Sequence, residues 1–424
     1  MHTIFALATA RGKSGVAVIR ISGPAAHQVG AALARDLPAA GRFALRTLRD
    51  AGGGILDQAL ILRFDAPRSF TGEDSVELQL HGSIAVIRAV ERAISDTGLA
   101  RMAEPGEFTR RALMNGNLDL AQVEGLSDLI AAETEMQRQQ AQSLFTGAMR
   151  GFADTCRADL LRAAALIEAT IDFADEEVPV DVSPEVGQLI ARVIVAIDAE
   201  LAGFSGAERL RAGFEVAIIG RPNVGKSTLL NRIAGRDIAI TSEIAGTTRD
   251  VLEVRVDLDG LPVTFLDTAG LRDSTDAIER IGVARARQRA EAADLRILLD
   301  DGQEVAPDFG LAIDLRYATK SDVTGFGISA LTGEGVDQLL ADVSAALSDK
   351  LSGMGVASHE RHRQALMRAR DALNLAQTAF ASGTGAEILA LHLRDGAAAL
   401  DSLIGRMDVE SVLGEIFAQF CIGK

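Results

Sequence analysis

The segment GRPNVGKST, Gly220–Thr228, decides how this chain is read. Gly220 and Gly225 frame a loop that leads into Lys226 and Ser227, and the following TLLNRIAG has the pattern of a helix. Just ahead, Phe214, Val216, Ala217, Ile218 and Ile219 form an apolar run that reads as a buried strand. A glycine loop between a strand and a helix N-terminus turns several backbone N–H groups toward one point, a cradle for phosphate oxygens. The motif alone also fits a glycine-rich turn; the strand before it and the helix after it separate the two readings.

Further segments follow in the order a nucleotide site needs. Lys226 is placed for the β- and γ-phosphates and Ser227 for Mg²⁺. GTTRD, Gly246–Asp250, offers Thr248 as a second Mg²⁺ ligand only when a γ-phosphate is present, which makes its loop a switch. DTAG, Asp267–Gly270, follows the apolar VTFL; Asp267 stands behind the metal's own ligands and the Gly270 N–H senses the γ-phosphate. In TKSD, Thr319–Asp322, the Asp322 carboxylate can accept from the N1–H and the exocyclic amine of guanine. Adenine lacks that donor pair, so GTP is expected rather than ATP. Ser329, Ala330 and Leu331 then bring a backbone N–H toward the guanine oxygen.

The expected GTP-binding set is therefore Asn223, Val224, Gly225, Lys226, Ser227 and Thr228 in the loop. The switch adds Ser242, Glu243, Ile244, Ala245, Gly246, Thr247 and Thr248; Asp267, Thr268, Ala269 and Gly270 follow, then Thr319, Lys320, Asp322 and the Ser329–Leu331 trio. After DTAG stands Leu271, where Ras-like proteins carry a water-orienting Gln, and leucine cannot orient water. No Arg is obviously placed as a finger. A monovalent cation held beside the phosphates would supply the missing positive charge.

At 424 residues the chain is too long for one ordinary core, and 48% hydrophobic content supports folded domains. Tryptophan is absent and tyrosine occurs once, so aliphatic residues must fill the cores. A net charge of −16 disfavours a protein whose main task is coating nucleic acid, while leaving room for a local basic patch. Cys156 and Cys421 form neither a disulfide framework nor a metal-ligand spacing, which fits reduced thiols in a cytosol. The opening MHTIFALATARGK lacks a basic leader, and no apolar run approaches a membrane span. A soluble cytoplasmic protein is expected.

Along the chain, residues 1–117 read as an α+β unit. Strands are expected over Gly15–Ser22, Gly54–Phe64 and Ser75–Leu80, with helices over Ser83–Thr97 and Gly106–Asn115. Helical periodicity dominates 118–211, carried by Leu120, Val123, Leu126, Leu129 and Ile130, then Leu160, Leu161, Ala164, Ile167 and Ile171. An α/β pattern occupies 212–347. After a hinge-like SGMGVAS at 352–358, helices resume over His359–Ala381, Ala386–Leu403 and Val409–Phe420, within a segment 348–424. The economical arrangement is one helical bundle built from both helical stretches, with the α/β P-loop domain inserted between them. The basic stretch HERHRQALMRAR, His359–Arg370, reads as a solvated helix face before it reads as an RNA contact.

Taken together, VIRISG (Val18–Gly23), TGEDSVELQLHG (Thr71–Gly82), PGEFTRRALMNGNLDL (Pro105–Leu120), the nucleotide segments and the closing CIGK (Cys421–Lys424) resemble the MnmE (TrmE) family of tRNA modification GTPases across essentially the whole chain. The resemblance implies an N-terminal domain that binds tetrahydrofolate and forms a homodimer, a helical domain and an inserted GTPase domain activated by K⁺. It matches the K⁺ ligands to Asn223, Ser242, Ile244 and Thr247, and a water-positioning catalytic Glu to Glu279. It assigns folate contacts to Arg20, Glu77 and Lys424, with a fourth position, usually basic, falling on Asn117. Cys421 becomes a catalytic residue, as nucleophile toward a uracil ring or as proton donor. The implied activity is GTP-driven addition of an aminomethyl or carboxymethylaminomethyl group at C5 of the wobble uridine, position 34, of certain tRNAs. An FAD-dependent partner (MnmG, GidA) and a 5-formyl- or 5,10-methylene-tetrahydrofolate cofactor belong to that picture.

Two departures stand out. TKSD replaces the commoner NKxD, and Thr319 is too short to copy all the hydrogen bonds of asparagine. The interval from Asp300 to Thr319 leaves little room for a helix between two strands. Two alternatives share the nucleotide segments: a ribosome-assembly GTPase, which would append an RNA-binding module such as a KH domain, and a scaffold whose degenerate GTPase domain only binds nucleotide.

Overall fold

A computed structural model describes residues 2–172, 183–240, 253–267, 287–302, 310–382 and 385–406, with Phe417, Phe420 and Gly423. The chain forms two compact units, 1–127 with 401–424, and 128–400.

In the first unit, β1 (Thr3–Leu7), β2 (Val16–Ser22), β3 (Phe43–Arg49), β4 (Ile55–Phe64), β5 (Ser75–His81) and β6 (Ala100–Met102) form one sheet ordered β3-β4-β5-β2-β1-β6. All pairs are antiparallel except β1–β6. Helices α1 (Ala26–Ala34) and α2 (Ile84–Asp96) cover one face, where Val29, Leu33, Val90 and Ile94 meet Ile19, Ile21, Ile61 and Leu78. The other face carries Ile4 and Ala6 against Phe108 of α3 (Glu107–Met114), with Phe70 alongside. Farther along this second face Phe43 and Leu45 stand opposite Leu62 and Leu60, and remain 70% and 64% exposed.

By its contacts the segment 401–424 falls in the first unit, with the N-terminal residues. Phe417 and Phe420 pack on Val123 of α4 (Leu120–Ala131), beside Leu113 and Leu118. Gly423 has φ +104°, and a Cβ there would lie 2.0 Å from the Leu7 carbonyl oxygen, so only glycine fits.

The second unit continues with α5 (Glu135–Phe145), α6 (Ala148–Asp172) and α7 (Ser183–Ala212), and closes with α11 (Glu360–Ser382) and α12 (Ala386–Leu403), each long helix carrying an apolar stripe. Residues 132–134 separate α4 from α5 within this helical stretch, and Thr134 caps α5 through a reciprocal box with Gln137. Helix α7 packs on both α6 and α11, and Gly396 of α12 sits against Leu373 and Leu160, so both helical stretches share one bundle.

Between α7 and α11 lie β7 (Phe214–Gly220), α8 (Lys226–Ala234), β8 (Glu253–Leu258), β9 (Leu261–Asp267), β10 (Leu295–Asp300), β11 (Leu315–Ala318), α9 (Ser321–Thr324) and α10 (Val336–Asp349). The sheet order is β11-β10-β7-β9-β8, parallel except for β8–β9. Leu229 and Ile233 of α8 and Leu339 and Val343 of α10 close one face. On the other, Leu311 and Ile313 pack beside Ala217, Ile219 and Leu298. Described residues 310–314 are not helical, and these two side chains cover the sheet beside Ala290 and Ala293.

The hinge-like SGMGVAS is seated on α7. Glu200 accepts hydrogen bonds from the Val356 and Ala357 amides at 2.8 and 3.1 Å. A Cβ on Gly203 would lie 2.2 Å from the Gly353 oxygen, and one on Gly206 2.7 Å from the Lys350 oxygen. Among the described residues no helix is long and apolar enough to cross a membrane.

Candidate functional site

Strands β7 and β9 run parallel, with Ile218 opposite Asp267, so Gly220 and Asp267 arrive at the same end of the sheet. This is where open α/β sheets place their ligands. The loop leaving β7 passes through Asn223 at φ +62° and Gly225 at φ +108° before α8 begins. Lys226 is 7% exposed, and its Nζ donates to the Gly220 and Arg221 carbonyls at 2.8 and 2.9 Å. The ammonium thus braces the loop it is expected to serve.

Ser227 Oγ donates to Asp267 Oδ2 at 2.7 Å. Asp267 is 5% exposed, and its Oδ1 has no hydrogen-bond partner among the described residues. A buried carboxylate oxygen without a donor is costly, and a hard divalent cation or its bound water satisfies it. Hydroxyl and carboxylate together fit Mg²⁺, with Ser227 as ligand and Asp267 behind it.

At the base end, Thr319 is braced locally: its amide donates to the Asp300 oxygen at 2.8 Å, and its hydroxyl reaches the same oxygen at 3.4 Å. Lys320, at φ +64°, pairs with Asp301 at 2.8 Å. The buried Ser329 donates from Oγ to Asp322 Oδ1 at 2.7 Å and so orients the carboxylate expected to read guanine. Its own amide donates to the Glu334 oxygen at 2.9 Å, which leaves the amides of Ala330 and Leu331 for the guanine oxygen. Glu334 also accepts from Ser321 Oγ at 3.0 Å and joins both base loops. Sequence reading passed over Glu334, whose signal was its place in the TGEG turn after Ser329–Leu331.

In the first unit, Arg20 and Glu77 are cross-strand neighbours paired at 2.8 Å. The Arg20 guanidinium also lies 5.0 Å from the Phe70 ring centre and 5.8 Å from that of Phe108. Asn117 donates to the Ser69 and Phe70 carbonyls at 2.9 and 3.3 Å, so this uncharged side chain fastens the loop bearing Phe70. The structure therefore gathers Arg20, Glu77 and Asn117 around one aromatic residue.

Beneath them runs a buried charge network that composition did not announce. Arg111 donates to Glu73 at 2.9 Å, to Glu107 at 2.9 Å and to the His2 carbonyl at 2.8 Å. Arg101 makes two further bonds to Glu107 at 2.8 and 2.7 Å. Burial would raise the Glu107 pKa, but the Arg101 bonds, the Glu104 amide and Arg111 outweigh it and hold it at about 2. Glu73 of TGEDS and Glu107 and Arg111 of PGEFTRR thus belong to one buried network. Cys156 is 3% exposed; burial first, then Asp159 and Glu200, push its thiol up to about 11. It is a buried packing residue with little thiolate.

Several sequence expectations lie outside the described residues: Ser242, Glu243, Ile244, Ala245, Gly246, Thr247 and Thr248 of the switch, Thr268, Ala269, Gly270 and Leu271, Glu279, and Cys421 and Lys424.

Comparison with known proteins agrees with this arrangement. Residues 3–117 match the GTP-binding protein TrmE N-terminus, and residues 120–421 match the MnmE helical domain. The chain is 56% identical over its full length to the whole of a protein from Jannaschia sp. (strain CCS1) named tRNA modification GTPase MnmE. Full-length relatives of the same name from Dinoroseobacter shibae and Paracoccus denitrificans share 56% and 50% identity, again over all of each chain. With two family matches covering nearly every residue and a braced phosphate loop at the expected sheet end, the chain belongs to the MnmE (TrmE) family of tRNA modification GTPases.

Proposed function

We propose that this chain is a cytoplasmic, K⁺-activated GTPase whose cycle drives addition of an aminomethyl or carboxymethylaminomethyl group at C5 of the wobble uridine of certain tRNAs. It works as a homodimer with an FAD-dependent partner and a tetrahydrofolate derivative. The observation that carries the GTPase part is the Ser227–Asp267 pair with the orphaned Asp267 Oδ1 behind the phosphate loop. Lys226, held by loop carbonyls, turns to the β- and γ-phosphates on binding, and Ser329 holds Asp322 for the guanine edge. Mg²⁺, when bound, neutralises charge on the phosphate oxygens. Asn223, Ser242, Ile244 and Thr247 are assigned to K⁺, Thr248 to Mg²⁺ and Glu279 to the attacking water.

Support for the folate role is the Arg20–Glu77 pair beside Phe70, where a guanidinium can meet a carboxylate and a carboxylate can accept from a pterin ring. Support for the homodimer is the open sheet face, where Phe43 and Leu45 stand exposed beside Leu60 and Leu62. Cys421 is assigned to the modifying chemistry, with Lys424 favouring its thiolate.

Nucleoside analysis of tRNA from cells lacking the chain tests the whole reading: the modified wobble uridine should disappear, and unaltered tRNA with defective ribosomes would favour ribosome assembly instead. Hydrolysis should be at least about tenfold faster in K⁺ than in Na⁺ at equal ionic strength, the effect of one well-placed charge; equal rates would remove the cation. Cys421→Ser should abolish the modification while GTP hydrolysis continues, and normal tRNA in that strain would make the cysteine a packing residue.

A further inference from the structure

Helix α8 starts at the phosphate loop with Lys226 and carries Arg232 near its other end. Arg232 Nε donates to the Ala330 carbonyl at 3.1 Å, and Nη2 donates to the Leu331 carbonyl. Its guanidinium carbon would lie 3.4 Å from a Cβ on Gly333, so the group lies flat over the turn that follows. Farther along, Arg236 pairs with Asp337 at the start of α10. The guanidinium of Arg232 therefore fixes the loop from which Ser329 reaches Asp322 at 2.7 Å. One short helix joins the phosphate end of the site to the base end.

Thr319 gives this cross-link its purpose. It pairs with Ile328, directly before Ser329, so a side chain at 319 stands beside the base loop. The threonine hydroxyl turns back to the Asp300 carbonyl and holds nothing in that loop. Asparagine, with an amide donor and acceptor one bond farther out, has the reach that threonine lacks.

We propose that Arg232 is the positioning residue for guanine recognition in this chain, replacing the brace that Thr319 cannot provide. Fixing the carbonyls of Ala330 and Leu331 keeps the neighbouring amides and the Ser329 hydroxyl in register with the base, and so sets the preference for the guanine amine. The proposal rests on the guanine-nucleotide reading of the site.

The test compares KM and kcat for GTP and for inosine triphosphate, which lacks the exocyclic amine that Asp322 accepts. In Arg232→Ala the KM for GTP should rise about tenfold, equivalent to ~1.4 kcal/mol, while that for inosine triphosphate, which shares the oxygen contact but not the amine contact, rises less. The GTP preference therefore collapses, and kcat falls less than KM rises. Adding Thr319→Asn to Arg232→Ala should restore the preference. An unchanged preference in Arg232→Ala, with an unchanged melting temperature showing the variant is folded, overturns the proposal; so does a lost preference that Thr319→Asn does not restore. An unsubstituted chain with no preference for GTP removes the guanine site itself, a different failure from either of these.

Discussion

Asp267→Asn is expected to lower GTP turnover by roughly two to three orders of magnitude, the usual effect of removing one preorganised electrostatic group from a transition state. The substitution keeps the shape of the side chain and an oxygen for the Ser227 hydroxyl, which donates at 2.7 Å. What it removes is the negative charge at Oδ1, buried and without a hydrogen-bond partner among the described residues. Without ligand that charge is a burden on the fold, because a buried group lacking its partner costs about 1–3 kcal/mol. The ligand-free melting temperature should therefore hold or rise while turnover falls. Hydrolysis titrated with Mg²⁺ and a melting curve of the ligand-free chain read the two effects separately. Full turnover in the variant would make Asp267 a structural residue at the end of β9 and shift the metal assignment elsewhere.

Glu107→Gln is expected to cost about 3–5 kcal/mol in the first unit, the range for breaking a buried ion pair from one side. Glu107 is 2% exposed and accepts from Arg101, Arg111 and the Glu104 amide; its loss leaves Arg111, 4% exposed, with Glu73 as its remaining carboxylate. Hydrogen exchange of the α3 amides in the full chain reads the loss locally. The same residue sets an acid limb. Its folded pKa of about 2 lies below the ordinary 4.5, so between these values the unfolded chain binds a proton that the folded chain does not. Stability then rises with pH across this window: the contribution, about 3 kcal/mol, is complete above pH 4.5 and fades as pH falls toward 2. In Glu107→Gln that limb should flatten. Exchange rates that match the unsubstituted chain at both pH 6 and pH 3 would show that the network carries no net stability.

Most of the nucleotide domain was legible because each of its parts announces itself locally. The apolar run before Gly220 is strand β7, and the run after Gly225 is helix α8, within a residue or two of expectation. Helix α12 and strands β2, β4 and β5 were equally plain, since one buried face gives a strand or helix its period. What escaped was either buried on both faces or open where burial is usual. TIFAL of β1 is buried at every position, so no alternation marks it as a strand. In β3, Phe43 and Leu45 are exposed, which inverts the pattern a half-buried strand would show.

The sites divide in the same way. Lys226, Ser227 and Asp322 could be named from their motifs, whereas Arg232 and the Arg111–Glu73 pair act through residues distant in sequence, and spacing carries no trace of such partners. Arg20 and Glu77 read alone as surface charges; the β2–β5 register makes them a pair.

The seating of SGMGVAS on α7 has a mechanical meaning. The inserted domain leaves the bundle where α7 ends at Ala212 and returns along the same helix, with Gly203 and Gly206 cut flush for the returning backbone and Glu200 gripping its amides. Both tethers share a single shaft. Any displacement of the inserted domain against the bundle must therefore pass through α7, whose 30 residues bear both connections.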